Sequence, residues 1–157
     1  LFDEYADDFD HHLVEVLEYS VPAKLRKLAP IRRFERCLDL GCGTGLAGQE
    51  FRDTCDYLEG VDLGARMVDR ARERQCYDAL HCRELVTHLK RQSPGSFDLL
   101  ISADVLIYIP DLEPLFLEAW RVLSDGGMFF FTTESATEEE APSGSILKES
   151  TDRIAHT

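Results

Sequence analysis

The sequence predicts an α/β fold in which a parallel sheet carries helices on both faces. The first observation is the stretch CLDLGCGTGL at residues 37–46, where an apolar strand runs straight into Gly41, Gly43 and Gly45 and then into a helix-forming segment. The second is order: strand-like and helix-like patterns alternate five times over, which implies parallel strands joined by right-handed crossovers. The third is SFDLLIS at residues 96–102, apolar in the continuous way of a strand covered on both sides. At 157 residues, 44% apolar and 10% aromatic, the chain suits one domain with a sizeable core.

The elements follow in chain order. Phe2, Tyr5, Phe9, Leu13, Val16 and Leu17 recur at helical spacing, so the opening segment is expected to form one or two short helices laid on the domain. An aromatic stripe of that kind ordinarily packs. His11 and His12 are adjacent, point different ways on a helix, and make a poor metal pair. After a turn at residues 20–22, a short basic helix is predicted over 23–28, ended by Pro30. Residues 36–40 are the first strand, and 46–52 the helix after the glycines, with Thr44 as its candidate cap. Residues 57–62 form the second strand and 63–74 the next helix; 78–82 form the third strand, followed by a helix through Leu89. Strand four, 96–102, delivers residues 103–109 to the rim that carries the glycine loop. Leu112, Leu115, Phe116, Ala119, Trp120 and Leu123 trace the clearest amphipathic helix, behind an Asp111 cap, and assign Trp120 to the core. Residues 125–127 break that helix before a fifth strand at 128–133. From Glu134 the composition turns acidic and turn-rich, a mobile loop by composition, and residues 146–157 read again as folded sequence.

Composition narrows the function classes. A formal net charge of -13 repels polyanions and removes the electrostatic basis for binding DNA or RNA. No apolar run approaches the roughly 20 residues of a membrane span. Cys37, Cys42, Cys55, Cys76 and Cys82 are odd in number and lack C-x-x-C spacing, so they read as reduced thiols of a cytoplasmic protein, without a metal role.

The glycine turn admits a ligand against bare backbone, and an α/β sheet holds a nucleotide-like ligand at the carboxyl end of that strand. Its spacing decides which kind. Counting from Gly41, the sixth place is Leu46 and the third glycine comes early at Gly45, which argues against NAD and FAD. No Lys followed by Ser or Thr closes the loop, so a phosphate-cradling P-loop is excluded as well. Asp62 ends the second strand, where an acid accepts hydrogen bonds from ribose hydroxyls; an ordinary helix N-cap is the other reading of the same residue. Asp39 and the glycines favour the ribose.

The run Asp39-Leu40-Gly41-Cys42-Gly43-Thr44-Gly45 resembles the first motif of Rossmann-like (class I) S-adenosylmethionine-dependent methyltransferases. The resemblance covers residues 2–134 and implies one methyltransferase domain: an N-terminal helical cap at 1–30, a cofactor-binding core at 31–134, and an acidic loop with a truncated C-terminal segment at 135–157. It implies S-adenosylmethionine as cofactor and S-adenosylhomocysteine as product. The glycine turn, with Asp39, Gly41, Cys42, Gly43, Gly45 and Leu46, would then accommodate the methionine part; Tyr5, in the family-like Tyr5-Ala6-Asp7-Asp8-Phe9-Asp10, would cover it. Asp62 falls to the ribose, Glu84 to the adenine amino group and Ala103 to the methionine, with Leu63 and Leu85 as further cofactor-binding residues. Asp104 and Tyr108 are the candidate substrate-side residues. The family's C-terminal strand hairpin, which completes a seven-stranded sheet, is expected to be missing. The phrase Asp104-Val105-Leu106-Ile107-Tyr108 is most similar to methyltransferase domains joined to tetratricopeptide repeats, and this, with Leu1 in place of Met, leads to the expectation of a tethered repeat domain upstream.

The expected reaction is in-line methyl transfer to a small-molecule acceptor, driven mainly by proximity and orientation, with a base needed only where the nucleophile loses a proton. The acidic charge favours a neutral or cationic acceptor. Two alternatives stand beside it: a methyltransferase-fold interaction module without activity, and a nucleoside-cofactor dehydrogenase, which the glycine spacing disfavours.

Overall fold

The computed structural model describes residues 20–135 with their side chains, and the backbone of residues 145–148 and 153–156. Tyr5, His11 and His12 lie outside the described residues, as does the rest of the N-terminal stripe. Five strands form one sheet in the order β3-β2-β1-β4-β5: β1 (Phe34–Leu40), β2 (Cys55–Asp62), β3 (Ala79–Cys82), β4 (Phe97–Ser102) and β5 (Leu123–Phe131). Every neighbouring pair is parallel. The expected α/β fold is present. The order reverses between β1 and β4, and it is outside the carboxyl ends of two such strands that an open α/β sheet leaves a crevice.

Both sheet faces are covered because the strands carry apolar residues on both. Leu38, Leu40 and Leu100 face one core with α4 (Leu85–Lys90) and α5 (Glu113–Val122). Cys37, Leu99 and Ile101 face the other, with α1 (Val21–Leu28) and α2 (Leu46–Phe51). The remaining crossover helix, α3 (Ala65–Glu73), buries Met67, Val68 and Ala71. No helix among the described residues is long and apolar enough to cross a membrane.

Four local expectations need correction. Trp120 is 83% exposed, not core; α5 buries Leu115, Ala119 and Val122, and a stripe through those three turns position 120 outward. Residues 125–127 do not separate helix from strand, since β5 starts at Leu123 directly after α5 and absorbs them as an irregularity in its pairing with β4. The N-cap of α2 is Gly45, at φ 95°, with no side-chain cap, so Thr44 does not play that part. Pro22 belongs to α1 itself, at its first turn, where its missing N–H costs nothing. Among the described residues the main sheet has five strands. β7 (Ser145–Lys148) and β8 (Arg153–His156) pair antiparallel with one another, and β8 pairs parallel with β6 (Glu134–Ser135), in a separate small sheet.

One side chain ties the glycine loop to the sheet. Tyr77, just before β3, donates its hydroxyl to Asp39 Oδ2 at 2.6 Å. Its ring fits only because glycine stands at positions 45, 48 and 60; a Cβ at Gly48 would overlap the Tyr77 hydroxyl. Asp39 is buried, and its Oδ1 makes no hydrogen bond. Burial pushes the Asp39 carboxyl up to about 7, with the Tyr77 hydroxyl holding it back and the Asp62 charge adding to the rise. Burial and the same acid hold the Tyr77 phenol well above its ordinary value, so it stays a donor.

Two outcomes follow from this contact. Alanine gains about 1 kcal/mol over glycine in a helix, yet Gly48→Ala is expected to destabilise by about 2 kcal/mol or more, because overpacking and the displaced Tyr77–Asp39 bond outweigh that gain. Urea unfolding measures it, and combining Gly48→Ala with Tyr77→Ala should cost clearly less than the sum of the two. A carboxyl raised from 3.8 to about 7 binds its proton more tightly when folded, so its contribution is full below pH ~4 and is lost as pH rises through ~7. The stability of the wild type relative to Asp39→Asn is therefore expected to fall across that window, by at most about 4 kcal/mol, and to be flat above it.

Candidate functional site

At the β1/β4 reversal lies a cavity of about 360 Å³. Four connections build it, each leaving the carboxyl end of a strand: the glycine turn after β1, the turn after β2, the turn at Glu84 after β3, and residues 103–109 after β4. The first and last touch directly, since a Cβ on Gly41 would meet the Val105 side chain. Ser102 Oγ donates to Leu40 O at 2.9 Å and closes the gap between the two strand ends.

The glycine turn is held from within by its own amides. Gly41 N and Cys42 N both donate to Val61 O, at 2.8 and 3.0 Å, and Gly45 N donates to Cys42 O at 2.9 Å. Gly43 N donates to Asp62 Oδ2 at 2.9 Å, while Asp62 Oδ1 accepts from Gly64 N at 2.8 Å. Asp62 is thus a clamp between two loops, and the N-cap of α3 is Gly64. These four turn amides point into the protein, unlike a phosphate-binding nest, which points its amides at the ligand.

Most of the residues singled out in the sequence meet at this cavity. Gly41, Cys42, Gly43 and Leu46 line it from the glycine turn, Asp62 and Leu63 from the β2 end, and Glu84 with Leu85 from the start of α4. Ala103, Asp104 and Tyr108 line it from the β4 side. Leu63 is 71% exposed, an apolar side chain standing at the rim. Asp39 and Gly45 lie outside the lining: Asp39 is buried beneath the loop and Gly45 caps α2. Tyr5 is outside the described residues. Glu84 is also the side-chain cap of α4, accepting from Val86 N at 3.0 Å and Thr87 N at 2.7 Å. Burial acts to raise its carboxyl, and those amides overcome it and leave the group below its usual range.

The sequence reading missed several wall residues. Met67, on the inner side of α3, and Pro22, in α1, also line the cavity. Neither belongs to a local pattern that marks a site, so only the tertiary arrangement reveals them. Burial raises the Cys42 thiol well above its ordinary value, which leaves it neutral. Asp104 has φ 56°, an uncommon conformation for a residue other than glycine. It is fixed by Thr132, whose Oγ1 accepts from Asp104 N at 2.8 Å and lies 3.3 Å from Asp104 Oδ1. Among the described lining residues there are three acids and no Lys, Arg or His.

Comparison with known proteins bears on this arrangement. The family model described as "Methyltransferase domain" matches residues 38–131. A malonyl-[acyl-carrier protein] O-methyltransferase of Enterobacter lignolyticus is 33% identical over 78% of this chain and 47% of its own length. A ubiquinone biosynthesis O-methyltransferase of Idiomarina loihiensis is 29% identical over 63% of this chain and 42% of its own. The chain therefore spans about half the length of the curated relatives it matches. A solved S-adenosylmethionine-dependent methyltransferase from Mesorhizobium loti is 32% identical, with a TM-score of 0.60 over 75% of this chain and 54% of that one. With its strand order, its glycine turn and a family match running from the middle of β1 to the end of β5, this chain belongs to the methyltransferase domain family.

Proposed function

We propose that this chain transfers a methyl group from S-adenosylmethionine to a small organic acceptor. The observation that carries the proposal is the chemistry of the cavity: the four turn amides are used internally, and the described walls hold three acids and no Lys, Arg or His. A pyrophosphate would find neither a cation nor a nest there, whereas a cationic sulfonium ligand without phosphates meets a field of the right sign. Gly43 supports the same fit, since a Cβ at that position would meet no atom and would take up open space beside the ligand.

In this reading Asp62, at the end of β2 with the Gly43 and Gly64 amides on its carboxylate, accepts from the ribose hydroxyls. Leu63 and Leu85 flank the adenine, and Glu84 accepts from its amino group while still capping α4. Gly41, Cys42 and Ala103 surround the methionine part, with Tyr5 and Leu46 as further cofactor-side residues by family resemblance. Asp39 and Gly45 support the loop from beneath rather than touching the ligand. Bound S-adenosylmethionine supplies an already activated methyl, so the chain's own work is to orient the acceptor and exclude water. Asp104 and Tyr108 stand on the acceptor side, where Asp104 accepts the acceptor's proton if it carries one. The lining supports a neutral hydroxyl-type or a cationic nucleophile over a carboxylate. A cytoplasmic setting is supported by the five cysteines, all free thiols. An upstream tetratricopeptide partner is supported only by sequence resemblance.

Calorimetric titration tests the cofactor. S-adenosylmethionine and S-adenosylhomocysteine should bind and NAD should not; Asp62→Ala should weaken binding about tenfold or more, through loss of a charge-assisted hydrogen bond. Leu63→Ala, at an exposed position, should weaken it several-fold without lowering the melting temperature. Binding of NAD in place of the adenosyl compounds would revive the dehydrogenase. Absence of all three ligands from the full-length protein would favour the interaction module.

The acceptor side has its own test. Asn tolerates the left-handed conformation, so Asp104→Asn keeps the backbone and removes only the charge. With an acceptor that the wild type methylates, this change should lower kcat by about 10²-fold or more and leave S-adenosylhomocysteine affinity unaltered. An unchanged kcat would remove Asp104 from the role of base.

A further inference from the structure

Glu59, His81 and His88 come together away from the cofactor cavity, on the sheet face covered by α4. Glu59 lies on β2, His81 on the neighbouring edge strand β3, and His88 on α4. One ligand-type atom from each lies within 4.8 Å of the other two. Glu59 Oε2 is 3.0 Å from His88 Nε2, and Glu59 Oε1 is 3.4 Å from His81 Nε2. A tetrahedral zinc ion with bonds of about 2.0–2.2 Å separates its ligand atoms by about 3.3 Å. Both distances are close to that edge. Glu59 and His88 are buried, while the His81 side chain is 34% exposed, so the cluster opens to solvent on one side only.

The expectation from sequence was that the chain holds no metal, and the cluster explains why spacing gave no warning. The three residues come from separate elements. From the surroundings, the Tyr57 hydroxyl donates to Glu59 Oε1 at 3.1 Å and orients the carboxylate, as outer-shell groups do around metal ligands.

We propose that Glu59, His81 and His88 form a binding site for a divalent transition-metal ion of the zinc class, with water in the fourth position on the His81 side. The ligand set, two imidazoles and one carboxylate with an open place, suits zinc or cobalt(II) and is too poor in oxygen for calcium or magnesium. The ion would bridge β2, the edge strand β3 and α4, whose first turn carries Glu84 and Leu85 into the cavity wall.

Arg83 sets the competing state. Its Nη1 lies 2.8 Å from His88 Nδ1, and a guanidinium can only donate. Nδ1 is therefore the acceptor, and the ring proton sits on Nε2, directed at Glu59 Oε2. The Gln92 side-chain amide is 3.3 Å from the same Nε2 and also donates to His88 O at 3.2 Å. A metal on Nε2 moves that proton to Nδ1, where it faces Arg83; the guanidinium must withdraw. Arg83 is half-buried and can do so. The cluster thus has two arrangements, a hydrogen-bonded one closed by Arg83 and a metal-bound one without it. Removing Arg83 should favour the second.

Titrating the full chain with Co²⁺ alone, and then with Zn²⁺ as competitor, tests this without any activity assay. The wild type should bind one equivalent with the visible absorption of a four-coordinate site and without a thiolate charge-transfer band, which sets the site apart from exposed Cys82. His81→Ala, at a partly exposed position, should abolish the signal, and Arg83→Gln should tighten binding several-fold. Zn²⁺ should also raise the melting temperature of the wild type but not of His81→Ala. Absence of the spectrum from both the wild type and Arg83→Gln would overturn the proposal, as would a spectrum that His81→Ala leaves intact.

Discussion

The contact between Tyr77 and Asp39 is the constraint on which the rest of the site depends. The phenol is wedged where three glycines leave room, at the cap of α2, one turn inside it, and in the middle of β2. It bonds an acid at the end of β1 that water does not reach. Through that single ring the first strand, the second strand and the helix after the glycine turn are fixed relative to one another. Arg74 reinforces the same junction, with Nε donating to Thr44 O at 2.7 Å and Nη1 to Gln49 Oε1 at 2.7 Å. The underside of the turn is filled by these contacts, and its other side lines the cavity.

The acids of this region divide into those that build and those that face the cavity. Asp39 is desolvated and drifts toward neutrality, which suits a group that accepts one hydroxyl bond and meets no cation. Asp62 stands one strand over, with an amide on each oxygen, at the cavity wall. The Asp62 charge adds to the cost of ionising Asp39, and of the two carboxyls it is Asp62 that lines the cavity. A loop that binds phosphate exposes its N–H groups; this one spends four of them on Val61 O, Cys42 O and Asp62. The acidic character of the described lining, three acids and no Lys, Arg or His, thus goes with a turn whose amides are already bonded.

The strands and the glycine turn were legible because their patterns are local. β1 and β2 end in short apolar stretches closed by glycine or acid, β4 is nearly continuous in apolar residues, and the ends of all three fell within two residues of expectation. Trp120 was misread for a related reason: residues 119 and 120 are both apolar, a helix cannot turn both inward fully, and sequence alone did not say which would win. The partner that decides it, the Arg121 guanidinium bonded to Leu89 O and Gln92 O, anchors the next residue to the end of α4. Tyr77 was passed over altogether, because its meaning lies in glycines 17, 29 and 32 positions away, which no periodicity links. Met67 at the cavity and Glu59 behind it were hidden in the same manner. The site's polar loop was written in a few adjacent residues, and its walls were not.

The two sides of β2 show how one strand serves both arrangements. Gly60 faces Tyr77 and the glycine loop, while Glu59 and Val61 turn to the α4 side. Helix α4 begins at the cavity with Glu84 as its cap and, one turn later, sets His88 against Glu59. The cap fixes the helix at one end and the buried histidine fixes it at the other, so the wall formed by Glu84 and Leu85 is located by two polar contacts within a six-residue helix. A helix that short has little stability of its own. The Glu59 cluster and the Glu84 cap are thus carried by one short helix, and the cluster packs behind the cavity wall that Glu84 and Leu85 form.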